Sequence, residues 1–454
     1  MALGRRAEER QEELFVMADR LPRSPGHVFY RKLNGLLAGA GFDAWVEQLC
    51  EPYYDGALGR PSIPPGTYFR MLLVGYFEGI GSQRGIAWRC SDSLSLREFL
   101  GLAIQQDSPD HSSLTVIRNR LPLEAHQQVF AWVLQLAEAQ GLLRGKTVGV
   151  DSTTLEADAA MKSIVRRDTG ESWKEYLARL MREAGLVDED DEPPSDDQLR
   201  RFDKQRADKK VSNDEWVSST DPDARIAKMK DGTTHLAYKA EHVVDLETNV
   251  IVAAEIYPGN AADAHTLEDS VQQAQTNLAE AGRDTTIEDV AADAGYYSND
   301  TLTQLREHTA YRTYIPQPKL QRKRVWTDKP PEQRAAFAAN RRRTQGARGK
   351  RLQRLRSELL ERTFAHVCET GGARRTWLWG LEKVRKRYAI AAAAHNLGLV
   401  MRKLFGMGTP RGLQGLGQAL RGLATPLQRA LLTLLSTFPR SCPTPTAPHP
   451  AIAA

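Results

Sequence analysis

Residues 146–157 read KTVGVDSTTLEA, and residues 290–298 read VAADAGYYS. Each is a short run of β-branched or small apolar residues that ends on an aspartate, Asp151 or Asp293, followed by small or hydroxyl-bearing neighbours. Val, Ile and Thr suit a pleated, half-buried backbone, so strands are expected over 147–150 and 285–292. A carboxylate where a buried strand emerges has a rigid backbone and one face open to solvent. That suits a hard cation that prefers oxygen. Several carboxylates gathered in one place repel unless a metal neutralises them. Mg²⁺ or Mn²⁺ does so, and two ions about 3.5–4 Å apart clamp the attacking and leaving oxygens of a phosphoryl transfer. An aspartate at a strand end is also a common turn or cap residue, so spacing alone leaves both readings open.

Working outward, residues 235–244 (HLAYKAEHVV) alternate loosely, residues 245–249 (DLETN) have turn chemistry, and residues 249–256 (NVIVAAEI) return as a second strand. This spacing predicts a hairpin. Residues 267–281 are polar and favour helix, whereas residues 161–234 read as an insertion whose acidic tract, DEDDEPPSDD at 188–197, is expected to be solvated and mobile. Its spacing and missing glycine do not match a calcium-binding EF-hand loop. Upstream, the first 140 residues read as helices. Pro64 and Pro65 precede Tyr68, Leu72, Leu73, Tyr76 and Phe77 at helical spacing; Ser91, Asp92 and Ser93 offer caps before Leu94–Leu100 apolar positions; and another helix is expected from about 123 to 140, stopped by Gly141. Residues 108–121, SPDHSSLTVIRNRL, carry cap candidates and then Arg118 and Arg120. Short helices with sharp turns fit a helix-turn-helix DNA reader and, equally, a bundle used for packing or dimerisation.

At 454 residues the chain has room for about two or three domains. Its net charge of +5 conceals opposed segments. Residues 319–356 hold 14 Lys/Arg against two acids, net +12, residues 383–454 hold ten Lys/Arg and no acid, and the remainder is net −17. A run of +12 repels itself unless a polyanion or an acidic neighbour neutralises it, which favours DNA as a partner. A hydrophobic share of 41% with 26% charged residues excludes collagen, a mostly disordered chain and a membrane bundle. No apolar window reaches the length of a membrane span and no secretory h-region follows the N-terminus. The four cysteines, Cys50, Cys90, Cys368 and Cys442, lie far apart, which argues against zinc and a disulfide framework and for a reducing cytoplasm. Helix is expected to resume at about Leu352, and the last dozen residues are expected to be disordered.

Taken in order, GVDSTTLEADAAM (149–161), the hairpin region DPDARIAKMKDGTTHLAYKAEHVVDLETNVIVAAEIYPGNAADAHTL (221–267), ADAGYYS (292–298) and RRTWLWGLEKVRKRYAIAAAAHNLGLVMRKLFG (374–406) resemble the bacterial insertion-sequence transposases of the DDE superfamily. SPDHSSLTVIRNRL and the proline-rich start of the Tyr68 helix resemble that family's N-terminal part. The resemblance spans roughly residues 28–405; the acidic insertion and the tail after Gly406 fall outside it. It implies an α/β fold: a mixed-sheet, RNase H-like catalytic core over 141–405, preceded by an all-α DNA-binding or dimerisation domain over 1–140 and followed by a basic, partly disordered tail over 406–454. It implies a DNA transposase that cuts and joins at terminal inverted repeats and acts on target DNA with two Mg²⁺ or Mn²⁺ ions. A homodimeric synaptic complex, no membrane association and a place at the bacterial nucleoid in the cytoplasm complete the expectation.

Asp151 and Asp293 stand where the family carries its first two metal-binding acids. The third belongs on a helix, in a Y-x2-R-x3-E-x6-K or VERxF pattern, and LLERTFAH (359–366) offers Glu361, although Ser357 and Cys368 replace the Arg and Lys of the longer pattern and Arg356 is one residue off. Glu382, in GLEKVRKR, is the runner-up. Arg341, Arg342, Arg343, Arg348, Lys350, Arg351 and Arg362, with Arg118 and Arg120, are the candidates for holding DNA, and Tyr296 and Tyr297 for stacking on a base or sugar. Two other readings fit the same residues: a metal-dependent nuclease without strand transfer, and a DNA-binding relic in which the acids no longer act.

Overall fold

A computed structural model describes residues 17, 27–55, 62–188, 192–206, 211–229, 232–318, 326 and 329–411. Residues 1–408 form one compact unit and 409–454 a second, of which only 409–411 are described. The tail expectation, the first part of the basic run and the centre of the acidic tract therefore lie outside the described residues.

Seven helices come first: α1 (Val28–Gly39), α2 (Phe42–Cys50), α3 (Pro65–Glu78), α4 (Gln83–Asp92), α5 (Leu94–Phe99), α6 (His111–Arg120) and α7 (Leu123–Ala139). Their ends follow from local chemistry. Pro65 sits in the first turn of α3, where its missing N–H is not needed, and Gly79 closes that helix at φ 71°. Ser93 caps α5 by accepting from Leu96 N, and Asp110 caps α6 by accepting from Ser112 N at 2.8 Å. Tyr68, Phe69, Leu73 and Phe77 of α3 are buried with Phe29, Leu33 and Leu37 of α1 in the core of this region.

The sheet begins with β1 (Thr147–Glu156) and continues through β4 (Arg225–Lys228), β5 (Thr234–Asp245), β6 (Ile251–Pro258), β7 (Asp289–Ala291) and β8 (Arg312–Tyr314), after a separate two-stranded sheet of β2 (Ile164–Arg166) and β3 (Trp216–Ser218). Its order is β4-β5-β1-β7-β8, with β6 sharing one edge of β5 with β4. β5 pairs antiparallel with β1 and β6, whereas β1, β7 and β8 run parallel. This is a mixed sheet with helices, the RNase H-like architecture expected. Helix α10 (Asp263–Glu280) packs against β6 and β5, while α11 (Asn299–His308), α12 (Pro331–Gln345) and α13 (Ala347–Phe364) follow the second aspartate. The long α14 (Leu381–Phe405) runs against α7, α3 and β6, joining the helical region to the sheet.

Four expectations shift. The first strand extends past Val150 to Glu156, because the polar residues 151–156 pair in register with β5. The strand expected over 285–292 is confined to Asp289–Ala291, the preceding chain bonding instead to Lys146 O through Glu288 N. Helix resumes at Pro331 rather than Leu352, since the basic run is rich in Ala and Arg, both good helix formers. Residues 161–234, expected as a solvated and mobile insertion, contain β2, β3 and two capped helices, α8 (Trp173–Glu183) and α9 (Asp196–Gln205). Leu177, Met181 and Leu199 form a small core there, and Ser195 uses the acidic tract's end as a capping box with Gln198. No helix among the described residues is long and apolar enough to cross a membrane.

Candidate active site

β1 and β7 are parallel with Gly149 opposite Ala291, so continuing the register by two residues sets Asp293 beside Asp151 on the same face of the sheet. Helix α13 crosses that face. Arg348 at its start pairs with the buried Asp289, Gln353 Nε2 donates to Ala292 O at 3.0 Å, and Arg356 Nη1 donates to Asp151 Oδ2 at 2.7 Å. Gly149 permits this approach. A Cβ there would stand 2.8 Å from Leu360 Cδ1 and 3.1 Å from Arg356 Cγ, so a side chain would push the helix off the strand. At the helix end Thr363 Oγ1 and His242 Nδ1 lie 3.0 Å apart, and the His242 ring stacks on Phe364 with centroids 4.1 Å apart. His242 is the β5 partner of Asp151, but burial holds its ring well below the usual histidine range and so neutral.

The pair is electrostatically under-compensated. Burial raises the Asp151 carboxyl above the usual aspartate range; Arg356 and the Ser152 N–H work against this, and the neighbouring Asp293 adds to it. Asp293 is half-buried and accepts from Gly295 N at 2.7 Å through Oδ1, which starts a single 3-10 turn, Ala294–Tyr296. Arg356 Nε is buried without a hydrogen-bond partner. Two carboxylates side by side with one guanidinium between them and the helix are a donor set that fits a divalent cation. Among the described residues no group of three or more His, Cys, Asp or Glu lies close enough to hold a metal ion, so only two of the three expected ligands are gathered.

Glu361 lies on α13 immediately after Leu360 and is exposed. It stands about 7.5 Å along the helix axis from Arg356, at about 1.5 Å rise per residue. Glu382, its rival, opens α14 and pairs with Lys386 at 2.6 Å, an ordinary i,i+4 helix pair with no contact to either aspartate. Of the expected DNA-holding cations, Arg341, Arg342, Arg348, Lys350 and Arg351 are exposed on α12 and α13, and Arg362 is exposed but pairs with Glu358 at 2.7 Å. Arg343 is partly withdrawn, its Nε donating to Thr313 O at 3.0 Å. Arg120 lies over the Tyr54 ring, whereas Arg118 is buried. One expectation fails: Tyr296 is 0% exposed and its hydroxyl donates to Glu241, so it is core and has no face for a base. Tyr297 is half-buried and donates to Asn299 Oδ1.

On the opposite face, sequence reasoning missed a second charged cluster. Lys239 Nζ, only 6% exposed by residue, lies 3.0 Å from Asp263 Oδ1, 3.3 Å from Glu241 Oε2 and 2.7 Å from Thr266 Oγ1. Thr266 and Tyr296 each donate to Glu241 Oε2 at 2.8 Å, and Ser152 donates to Asp263 Oδ1 at 3.0 Å. Gly295 lies between the clusters: a Cβ there would be 2.7 Å from Asp263 Oδ2 and 3.0 Å from Asp293 Oδ1. The signal was present in HLAYKAEHVV, where Lys239 and Glu241 sit two apart, and so on one face, in an otherwise apolar strand.

Two family models match the chain: one described as a transposase domain (DUF772) over residues 17–120, and one described as a transposase DDE domain over residues 192–397. The second begins inside the segment expected to be an insertion and contains Asp293, Glu361 and Glu382; Asp151 lies between the two matched regions. No curated protein and no solved structure matches it.

Proposed function

The chain belongs to the insertion-sequence transposases of the DDE superfamily, and we propose that it cuts and joins DNA at the terminal inverted repeats of its own element through Asp151, Asp293 and Glu361. The observation that carries this reading is the register of β1 and β7, which sets the two aspartates side by side beneath the helix bearing Glu361. Transposases of this superfamily use divalent metal ions. Asp151, Asp293 and Glu361 would hold two Mg²⁺ or Mn²⁺ ions, whose chemistry is to stabilise charge on the attacking and leaving oxygens of the phosphoryl transfer.

The chain's own residues supply position and charge. The strands fix the two aspartates, and Arg356 holds Asp151 in place. The exposed Arg341, Arg342, Arg348, Lys350, Arg351 and Arg362 are suited to phosphates of the element end, as positioning contacts that carry no sequence information. Residues 1–140 act as the DNA-binding and dimerisation part, 141–405 as the catalytic part, and the basic tail 406–454 as a further DNA-holding segment. A homodimer would bring two element ends and target DNA together, in the bacterial cytoplasm at the nucleoid.

The test is a supercoiled plasmid carrying the element, incubated with protein and Mg²⁺. Wild type should yield excised and joined products, and Asp151→Ala should yield neither while binding the terminal repeat nearly as well. Nicks without joined products would support a plain nuclease. Equal loss of binding and cleavage in Asp151→Ala would remove the metal role from Asp151.

A further inference from the structure

Between α3, α4 and α6 on one side and α14 with residues 371–378 on the other lies a cavity of about 280 Å³. Tyr68, Ile86 and Ile390 give it apolar walls, Trp377 stands at its side half-exposed, and no acidic residue lines it. Its polar groups are chiefly donors. Arg118 is 7% exposed, its Nε has no hydrogen-bond partner, and among the described residues no carboxylate pairs with it. Arg387 donates only to the backbone carbonyls of Arg375 and Gly372, again with no carboxylate. Burial, and the charge of Arg118 beside it, push Arg387 down to about 10. Gln83 Nε2 is a further buried donor without a partner.

Arg70, in the same helical region, shows what a compensated buried arginine looks like. It is 4% exposed and bonds both oxygens of Asp43, at 2.9 and 2.7 Å, together with Asn34 Oδ1 and Phe99 O. A buried charge with no partner is expensive unless something neutralises it. Two adjacent guanidiniums facing a cavity supply the recognition chemistry of a phosphate, for which arginine's planar donor fork is shaped. The volume exceeds what a bare phosphate needs and approaches that of small-ligand sites, about 300 Å³ and upward. An indole at the side offers a surface on which a base stacks.

The cavity's position connects it to β1. Arg374 donates to Thr153 Oγ1 at 2.8 Å and Thr376 N donates to Glu156 O at 2.9 Å, so the chain leading into Trp377 is tied to the strand that carries Asp151. Asp151 and Glu156 are about 17 Å apart along an extended strand, a length that one DNA strand covers in about five nucleotides.

We propose that this cavity binds one nucleotide of a DNA strand, its phosphate on Arg118 and Arg387 and its base against Trp377. That the phosphate comes from DNA rests on the transposase reading; the anion chemistry does not. The experiment uses the full-length chain at low salt in EDTA. Melting temperature and tryptophan fluorescence are followed with inorganic phosphate, deoxyadenosine monophosphate or a ten-residue oligothymidylate. The oligonucleotide should raise the melting temperature and quench fluorescence. Arg118→Met should weaken that binding by about tenfold or more, while melting no lower than wild type without ligand, because an uncompensated buried charge is gone. Trp377→Ala, at an exposed site, should lose the quench and keep the response to phosphate. Undiminished oligonucleotide binding in both variants overturns the proposal, and so does saturation by the mononucleotide with no Arg118-dependent binding of the oligonucleotide. Because binding is read without divalent metal, a protein that cuts element ends but shows no Arg118-dependent binding loses only this inference. One that binds through Arg118 but never cuts loses the transposase reading.

Discussion

The two faces of β1 carry two charged clusters built from adjacent residues, Asp151 and Ser152, and the clusters are balanced differently. On the α10 face Lys239 sits between Glu241 and Asp263, with hydroxyls of Ser152, Thr266 and Tyr296 filling most remaining acceptor sites. On the α13 face two carboxylates share one arginine, and the charge of Asp293 pushes the Asp151 carboxyl upward. A cluster whose charges are answered from within holds structure together. One left short of positive charge is suited to receive a cation. The same strand thus serves as scaffold on one side and as a candidate reaction site on the other.

The sharpest way to break this comparison is through activity. Glu361→Gln should reduce excision of a plasmid-borne element by about 10³-fold or more, the loss of several kcal/mol of charge stabilisation, and Glu382→Gln should leave it within a few-fold of wild type. A dead Glu382→Gln with an active Glu361→Gln would move the third acid to α14. On the scaffold face, Lys239→Met strands Glu241 and Asp263 without their cation and should cost about 3–5 kcal/mol in denaturant unfolding. Tyr296→Phe removes one charge-assisted hydrogen bond to Glu241 and should cost about 1.5–3 kcal/mol. An unfolding midpoint unchanged in both would mean that the α10 cluster is not structural.

The smallest effect is the pH dependence of Asp151. Its folded carboxyl lies above the unfolded value, so its contribution to stability is fully present below the unfolded pKa, about 3.9, and is lost as pH rises through the raised folded pKa. In EDTA, wild type should therefore lose melting temperature relative to Asp151→Asn as pH rises through that window. Parallel curves would show that Asp151 titrates normally.

Much of this was legible in the sequence where short-range chemistry decides the outcome. Ser93 and Asp110 cap helices as their type suggests, Pro65 opens one, and the turn at 245–249 closes a hairpin with Asn249 at φ 66°. Less was legible where partners distant in sequence decide. Residues 151–156 are too polar to read as strand until β5 pairs with them, and Arg356 meets Asp151 across 205 residues. Composition also misled at 161–234, where an acidic total hid the apolar face formed by Leu177, Met181 and Leu199. Tyr296 read equally as a stacking ring or a core residue, and only the position of Glu241 distinguishes them.

The most direct test of the account is a titration of Mn²⁺ into the full-length protein bound to element-end DNA, read calorimetrically. Wild type should bind Mn²⁺, and Asp151→Asn and Asp293→Asn should each weaken that binding by about tenfold or more, while Tyr296→Phe, on the opposite face, should leave it intact. Mn²⁺ binding unchanged in both aspartate variants would contradict the assignment of this face as the metal site.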